Sequence, residues 1–122
     1  MCGIVGYEGP KALLKVLMDG LGSLEYRGYD SAGIALSEDG GFRVLRRAGK
    51  LQELRDLVAA EGVPPHPGSY GIGHTRWATH GRPNDVNAHP HRDCHGGVLL
   101  VHNGIIKNHA ELVYPVQTIV LC

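Results

Sequence analysis

No sign of charge predominates in this 122-residue sequence, in which 12 Lys and Arg balance 12 Asp and Glu, so it carries no field that would draw nucleic acid. Hydrophobic residues make up 43% and charged residues 20%, a composition that excludes disorder. No apolar run approaches the ~20 residues that cross a bilayer, and the first residues lack the basic and apolar regions of a secretory signal. A cytoplasmic protein without nucleic-acid or membrane partners is expected. Cysteine is scarce: Cys2, Cys94 and Cys122 are an odd number at wide spacings, which argues against a disulfide framework and leaves a reactive thiol. Internal repeats and low-complexity tracts are absent. Glycine, by contrast, is plentiful, and its 18 residues point to many tight turns. At this length the chain is one domain or a piece of one.

Cys2 to Tyr7 is a β-rich run broken by Gly9-Pro10, after which Leu14, Leu17, Met18, Leu21 and Leu24 recur at helical spacing. Gly20 and Gly22 weaken that helix, and Arg27-Gly28-Tyr29-Asp30 ends it in a polar loop before the apolar stretch Ala32 to Leu36. Asp39-Gly40-Gly41 predicts a hairpin turn, with the return strand over Phe42 to Leu45. Leu51, Leu54, Leu57 and Val58 mark a second amphipathic helix that stops at Gly62. Pro64, Pro65 and Pro67 separate the halves of the chain. Beyond them Tyr70 to His74 and Val98 to His102 read as buried strands, joined by a His-, Pro- and Asn-rich segment too ordered in character for a linker. Strands mixed with two helices predict sheets covered by helices, an α+β arrangement whose pairing directions stay open.

The chemistry starts at Cys2. Removal of Met1 would leave one residue with both a thiol and a free α-amino group, and an amine of pKa near ~8 can serve the thiolate as general base. Taken alone, Cys2 also reads as a small residue opening an edge strand. An acyl-transfer nucleophile needs donors aimed at the developing oxyanion, and Asn103-Gly104 offers an amide side chain and an unobstructed backbone N–H just after an apolar run. Alone, that pair reads as an Asn-Gly turn. The segment Gly73 to Gly81 gathers Arg76, Trp77, Thr79 and His80 at the end of a strand. Arg76 could grip a carboxylate through two parallel hydrogen bonds, Thr79 and His80 add donors, and Trp77 could wall a pocket against water. Singly, Trp77 reads as core and Arg76 as a surface charge.

Five motifs together, Cys2-Gly3-Ile4-Val5-Gly6, the Glu25 to Gly33 run, the Arg76-Trp77 segment, Asn87-Ala88-His89-Pro90-His91 and Val101-His102-Asn103-Gly104-Ile105-Ile106, resemble the class II glutamine amidotransferase (glutaminase) domain of the glutamine–fructose-6-phosphate aminotransferases. The related purine and asparagine amidotransferases also begin Cys-Gly, but the wording around Tyr26-Arg27-Gly28-Tyr29-Asp30 and Trp77-Ala78-Thr79-His80-Gly81 is similar to the hexosamine branch. The resemblance implies the N-terminal-nucleophile hydrolase fold, two stacked antiparallel sheets covered by helices as a four-layer αββα sandwich. It also implies that Cys2 attacks the side-chain amide of L-glutamine, forms a γ-glutamyl thioester and liberates ammonia. By the same resemblance Arg76, Thr79 and His80 hold the glutamine carboxylate, Asn103 and Gly104 form the oxyanion hole, Arg27 lies beside the nucleophile and Trp77 shields the ammonia. No metal or other cofactor is implied. In the full-length family a sugar isomerase domain binding fructose 6-phosphate is the partner, and assembly into a homo-oligomer is among the expectations.

The resemblance covers residues 1–112, the front part of such a domain, and leaves a fold incomplete at its C-terminal end. Residues 113–122 diverge: the stretch is apolar and β-prone, contains Pro115 and carries no carboxylate, where the family has a strand with an aspartate for the glutamine α-amino group. A truncated or frame-shifted product fits this tail. Two other readings follow: an inactive fragment associating with an intact enzyme, and a zinc module built from His89, His91, Cys94 and His95. The latter four lack the paired spacing of a zinc module.

Overall fold

In the computed structural model the structure describes residues 1–79 and 81–113. His80 and all of the divergent tail except Val113 lie outside the described residues. The chain runs β1 (Gly3–Glu8), α1 (Leu13–Ser23), a 3-10 turn (Glu25–Arg27), β2 (Ser31–Glu38), β3 (Gly41–Ala48), α2 (Leu51–Ala60), β4 (Tyr70–Arg76), β5 (His91–Arg92) and β6 (Leu99–Leu100). The expected strand–helix–hairpin–helix–strand order is observed, with β2 and β3 joined across Asp39-Gly40.

Strands β1, β4, β2 and β3 form one sheet in that spatial order, and every pairing in it is antiparallel. Both helices cover one face. Leu13, Leu17 and Leu21, one helical stripe of α1, are wholly buried with Ile34 and Leu36 of β2 and Leu51 and Leu54 of α2. Each such side chain contributes roughly 1.5–3 kcal/mol of burial. Helix α1 lies close against β4 because β4 presents glycine there: a Cβ at Gly73 would come within 3.2 Å of three Leu21 atoms. Helix α2 has no side-chain cap of its own at Lys50. The Tyr29 hydroxyl substitutes, accepting the Leu51 N–H at 2.6 Å and donating to Glu25 at 2.5 Å, which ties α2 to the 3-10 turn.

Alternation along the strands puts His74 and Arg76 of β4, Gly33 of β2 and Arg46 of β3 on the opposite face. Residues 82–91 fold over that end of the sheet. Arg46 Nη1 reaches the Ala88 and Pro90 carbonyls at 3.2 and 3.4 Å, and Asp85 accepts from Arg47 at 2.6 Å and from the Ala48 N–H at 2.7 Å. The polar connection is therefore ordered, as its composition predicts. The strand expected over Val98 to His102 is shorter and less covered: only Leu99–Leu100 is extended, paired with β5 in a separate ribbon, and Val98 and Leu100 are 63% and 59% exposed. With two residues in each strand, the ribbon is too short to cover the whole apolar run.

Candidate active site

Sequence-distant residues meet in one cavity of about 900 Å³. Cys2, Arg27, Arg76, Trp77, Thr79, Asn103 and Gly104 all line it. Cys2 enters from the start of β1, and antiparallel pairing sets Gly3 opposite Thr75, so the thiol faces the turn that follows Arg76. The Trp77 N–H donates to Cys2 Sγ at 3.3 Å. Asn103 Nδ2 donates to the Cys2 carbonyl at 3.3 Å, which brings an amide side chain to the backbone of Cys2 from a segment more than 100 residues away in sequence.

Two further contacts fix this end of the sheet. The Met1 ammonium donates to the carbonyls of Arg27 and Gly28 at 3.1 and 3.0 Å. Asp30 holds the turn after β4, its N–H donating to the Arg76 carbonyl at 2.8 Å and its carboxylate accepting the Ala78 N–H at 2.5 Å. Gly28 is required where it stands: φ is +74°, and a Cβ would lie 3.3 Å from the Trp77 ring. We expect Gly28→Ala to lower unfolding free energy by about 1–3 kcal/mol in urea titration; an unchanged midpoint would contradict the strained turn.

Arg27, Arg76 and Lys107 give the cavity a cationic lining suited to a carboxylate ligand. Arg27 Nε is buried without a hydrogen-bond partner among the described residues. Trp77 is 52% exposed, so its indole forms a rim of the cavity rather than core. His80, expected to assist Arg76 and Thr79, lies outside the described residues.

Behind the cavity stand three imidazoles. The His89 ring lies 4.5 Å from that of His74 and 4.4 Å from that of His91. Burial, then the neighbouring His89 and Arg76, push His74 down to about 4. Burial, then His91 and Arg76, push His89 down to about 4 as well. Burial and the Arg46 and Arg76 guanidinium groups lower His91 too. The stack is neutral at pH 7. Sequence reasoning gave no role to His74 or Asp30; the alternation that places His74 two residues before Arg76 on one face was the available signal.

Among the described residues no group of three or more His, Cys, Asp or Glu side chains is placed to hold a metal. His89 instead packs between two other rings, and Cys94 Sγ lies 3.5 Å from Nδ1 of the neighbouring His95. Cys2 is free, whereas Cys94 is not. No helix among the described residues is long and apolar enough to cross a membrane.

No family model matches the chain. Close relatives exist in sequence. The glutamine–fructose-6-phosphate aminotransferase (isomerizing) of Mycobacterium tuberculosis is 55% identical over 118 residues, covering 97% of this chain and 19% of the relative. The enzymes of that name from Pyrococcus horikoshii and Symbiobacterium thermophilum are 56% and 59% identical over 112 residues, covering 92% of this chain and 18% of each relative. Among solved structures, the glutamine phosphoribosylpyrophosphate amidotransferase of B. subtilis superposes with a TM-score of 0.71 at 24% identity, over 97% of this chain and 25% of that one. The chain therefore has the α+β fold of the N-terminal-nucleophile amidotransferases. More narrowly, it belongs to the glutamine–fructose-6-phosphate aminotransferase family, and it spans about a fifth of the length of the curated relatives it matches.

Proposed function

We propose that the chain is the front part, residues 1–112, of a glutaminase domain, followed by the divergent residues 113–122, and that Cys2 is its nucleophile once Met1 is removed. The freed α-amine takes the thiol proton. The thiolate adds to the side-chain amide carbon of L-glutamine, and Asn103 Nδ2 with the Gly104 N–H receives the charge that builds on the amide oxygen. Collapse forms the γ-glutamyl thioester and expels ammonia, which leaves with the proton held by the amine. Water then cleaves the thioester to glutamate and restores the thiol. Arg76 holds the α-carboxylate with Thr79 and His80, Arg27 borders the thiol, and Trp77 screens the departing ammonia.

What carries this reading is the meeting of Cys2, Asn103 and Arg76 at one cavity. In the longer proteins of the family the ammonia would pass to fructose 6-phosphate in a sugar isomerase domain, in the cytoplasm. The test is direct. A chain shown by mass to begin at Cys2 should release ammonia and glutamate from glutamine in equal amounts; no release above the rate of buffer alone would defeat the proposal.

A further inference from the structure

We infer that the stacked rings of His74, His89 and His91 are a joint that positions the oxyanion donors Asn103 and Gly104 against Cys2; this rests on the glutaminase reading above. The cavity is assembled from two sheets that share no strand pairing. Cys2 and Arg76 belong to the four-stranded sheet, one just before β1 and the other at the end of β4. Asn103 and Gly104 follow β6, in the ribbon. Whatever lies between the sheets therefore sets the distance between the nucleophile and its donors.

The histidines occupy that place. His74 is wholly buried on the main sheet, and His91 is the first residue of β5. His89 sits between them, within 4.5 Å of one ring and 4.4 Å of the other. The ribbon register pairs His91 with Leu100, so the chain before His91 runs beside the chain after Leu100, and His89, His102 and Asn103 line the same cavity. The backbone is pressed to the sheet at this point: a Cβ on Gly33 would lie 2.1 Å from the His89 carbonyl oxygen. His74 Nδ1, His74 Nε2 and His89 Nδ1 make no well-aligned hydrogen bond among the described residues, while the His74 ring faces the His102 backbone and the His89 ring the Leu100 backbone, in the segment that leads to Asn103. These rings consequently act through packing, as flat spacers close to Arg76, more than through a hydrogen-bond chain. They are positioning residues: among the described residues the hydrogen bonds of the Cys2 thiol go to Trp77 and that of the Asn103 amide to the Cys2 carbonyl, none to these rings.

Removing the middle ring should loosen the ribbon without moving Arg76, which is fixed on β4. His89→Ala should therefore lower kcat for glutamine hydrolysis by about 10²-fold, with KM within about twofold. His89→Phe keeps a flat ring and should recover most of kcat. Equal losses in the two variants, an unchanged kcat in His89→Ala, or a rise in KM alone would each overturn the joint. If the unsubstituted chain does not turn over glutamine, the glutaminase reading fails separately. The joint is then read from the Asn103 side-chain amide in a nitrogen–proton NMR spectrum. That signal should shift in His89→Ala and hold its place in His89→Phe; a signal unmoved in the alanine variant, or moved alike in both, overturns it. Thermal unfolding accompanies each variant, and if His89→Ala loses cooperative unfolding, His91→Ala at the ribbon end of the stack takes its place under the same criteria.

Discussion

Cys2→Ala should abolish ammonia release from glutamine while leaving the unfolding free energy within about 1 kcal/mol of the parent chain. The loss should be complete because no other lining side chain can replace the thiolate. Thr79 has a hydroxyl with no base hydrogen-bonded to it among the described residues. The structural cost should be small. Sγ accepts one N–H, from Trp77, and the partly exposed N-terminal residue sits outside the leucine core. A chain that keeps an extra residue before Cys2 makes a second version of this experiment. There the thiol persists and still reacts with a small alkylating agent, but the α-amine that should serve as base is locked in a peptide bond. Turnover should vanish in both chains, and its survival in the extended one would remove the amine from the mechanism.

Acid should destabilise the fold well before its carboxylates are protonated. His74 and His89 titrate near 4 in the folded chain against an ordinary histidine value of 6.5. Both shifts are downward, so between those values the unfolded chain binds protons that the folded chain refuses, and stability rises with pH across that window. Above it the effect is flat; as pH falls through 6.5 toward 4 stability is progressively lost. At about 1.4 kcal/mol per pKa unit, His74 alone accounts for a loss on the order of 3 kcal/mol by pH 4. The pair gives less than twice that, because each ring's charge opposes the other's. Asp85 acts in a separate and lower window: the Ala48 N–H, then the Arg47 guanidinium, hold its carboxyl below the usual range. Urea midpoints measured from pH 7 down to pH 4.5 should fall steadily, and His74→Phe should flatten the slope. A parent chain equally stable at both ends of that range would show that the imidazoles are not held neutral.

Much of the scaffold is legible from apolar spacing. The leucines of α1 and α2, the Asp39-Gly40 hairpin and the strand leading to Arg76 follow from it because a single core selects one face of each element. The ribbon of β5 and β6 is not legible. It has two residues in each strand, too few for any period, and its partner choice depends on the loop being clamped by Arg46 and Arg47 from another strand. Val98 to His102 reads as buried because an apolar run reports a preference for cover and not the presence of something to cover it. At the site, Cys2, Arg76 and Asn103 carry the right chemistry singly but converge only through antiparallel pairing and the return of the chain after β6. Asp30 escapes side-chain reasoning altogether, since its carboxylate serves a backbone N–H, a group every residue but proline supplies. The histidine joint joins residues 15 positions apart in sequence (74 and 89), and only the folded loop shows that their rings meet.

The nucleophile can be tested without relying on turnover. The purified chain beginning at Cys2 is incubated with a glutamine analogue that carries an electrophilic carbon in place of the amide, and its peptides are weighed. One adduct per chain is expected, on Cys2, slowed by excess glutamine and not by glutamate's shorter homologue. Labelling that glutamine does not slow, or that falls on a residue other than Cys2, would contradict it.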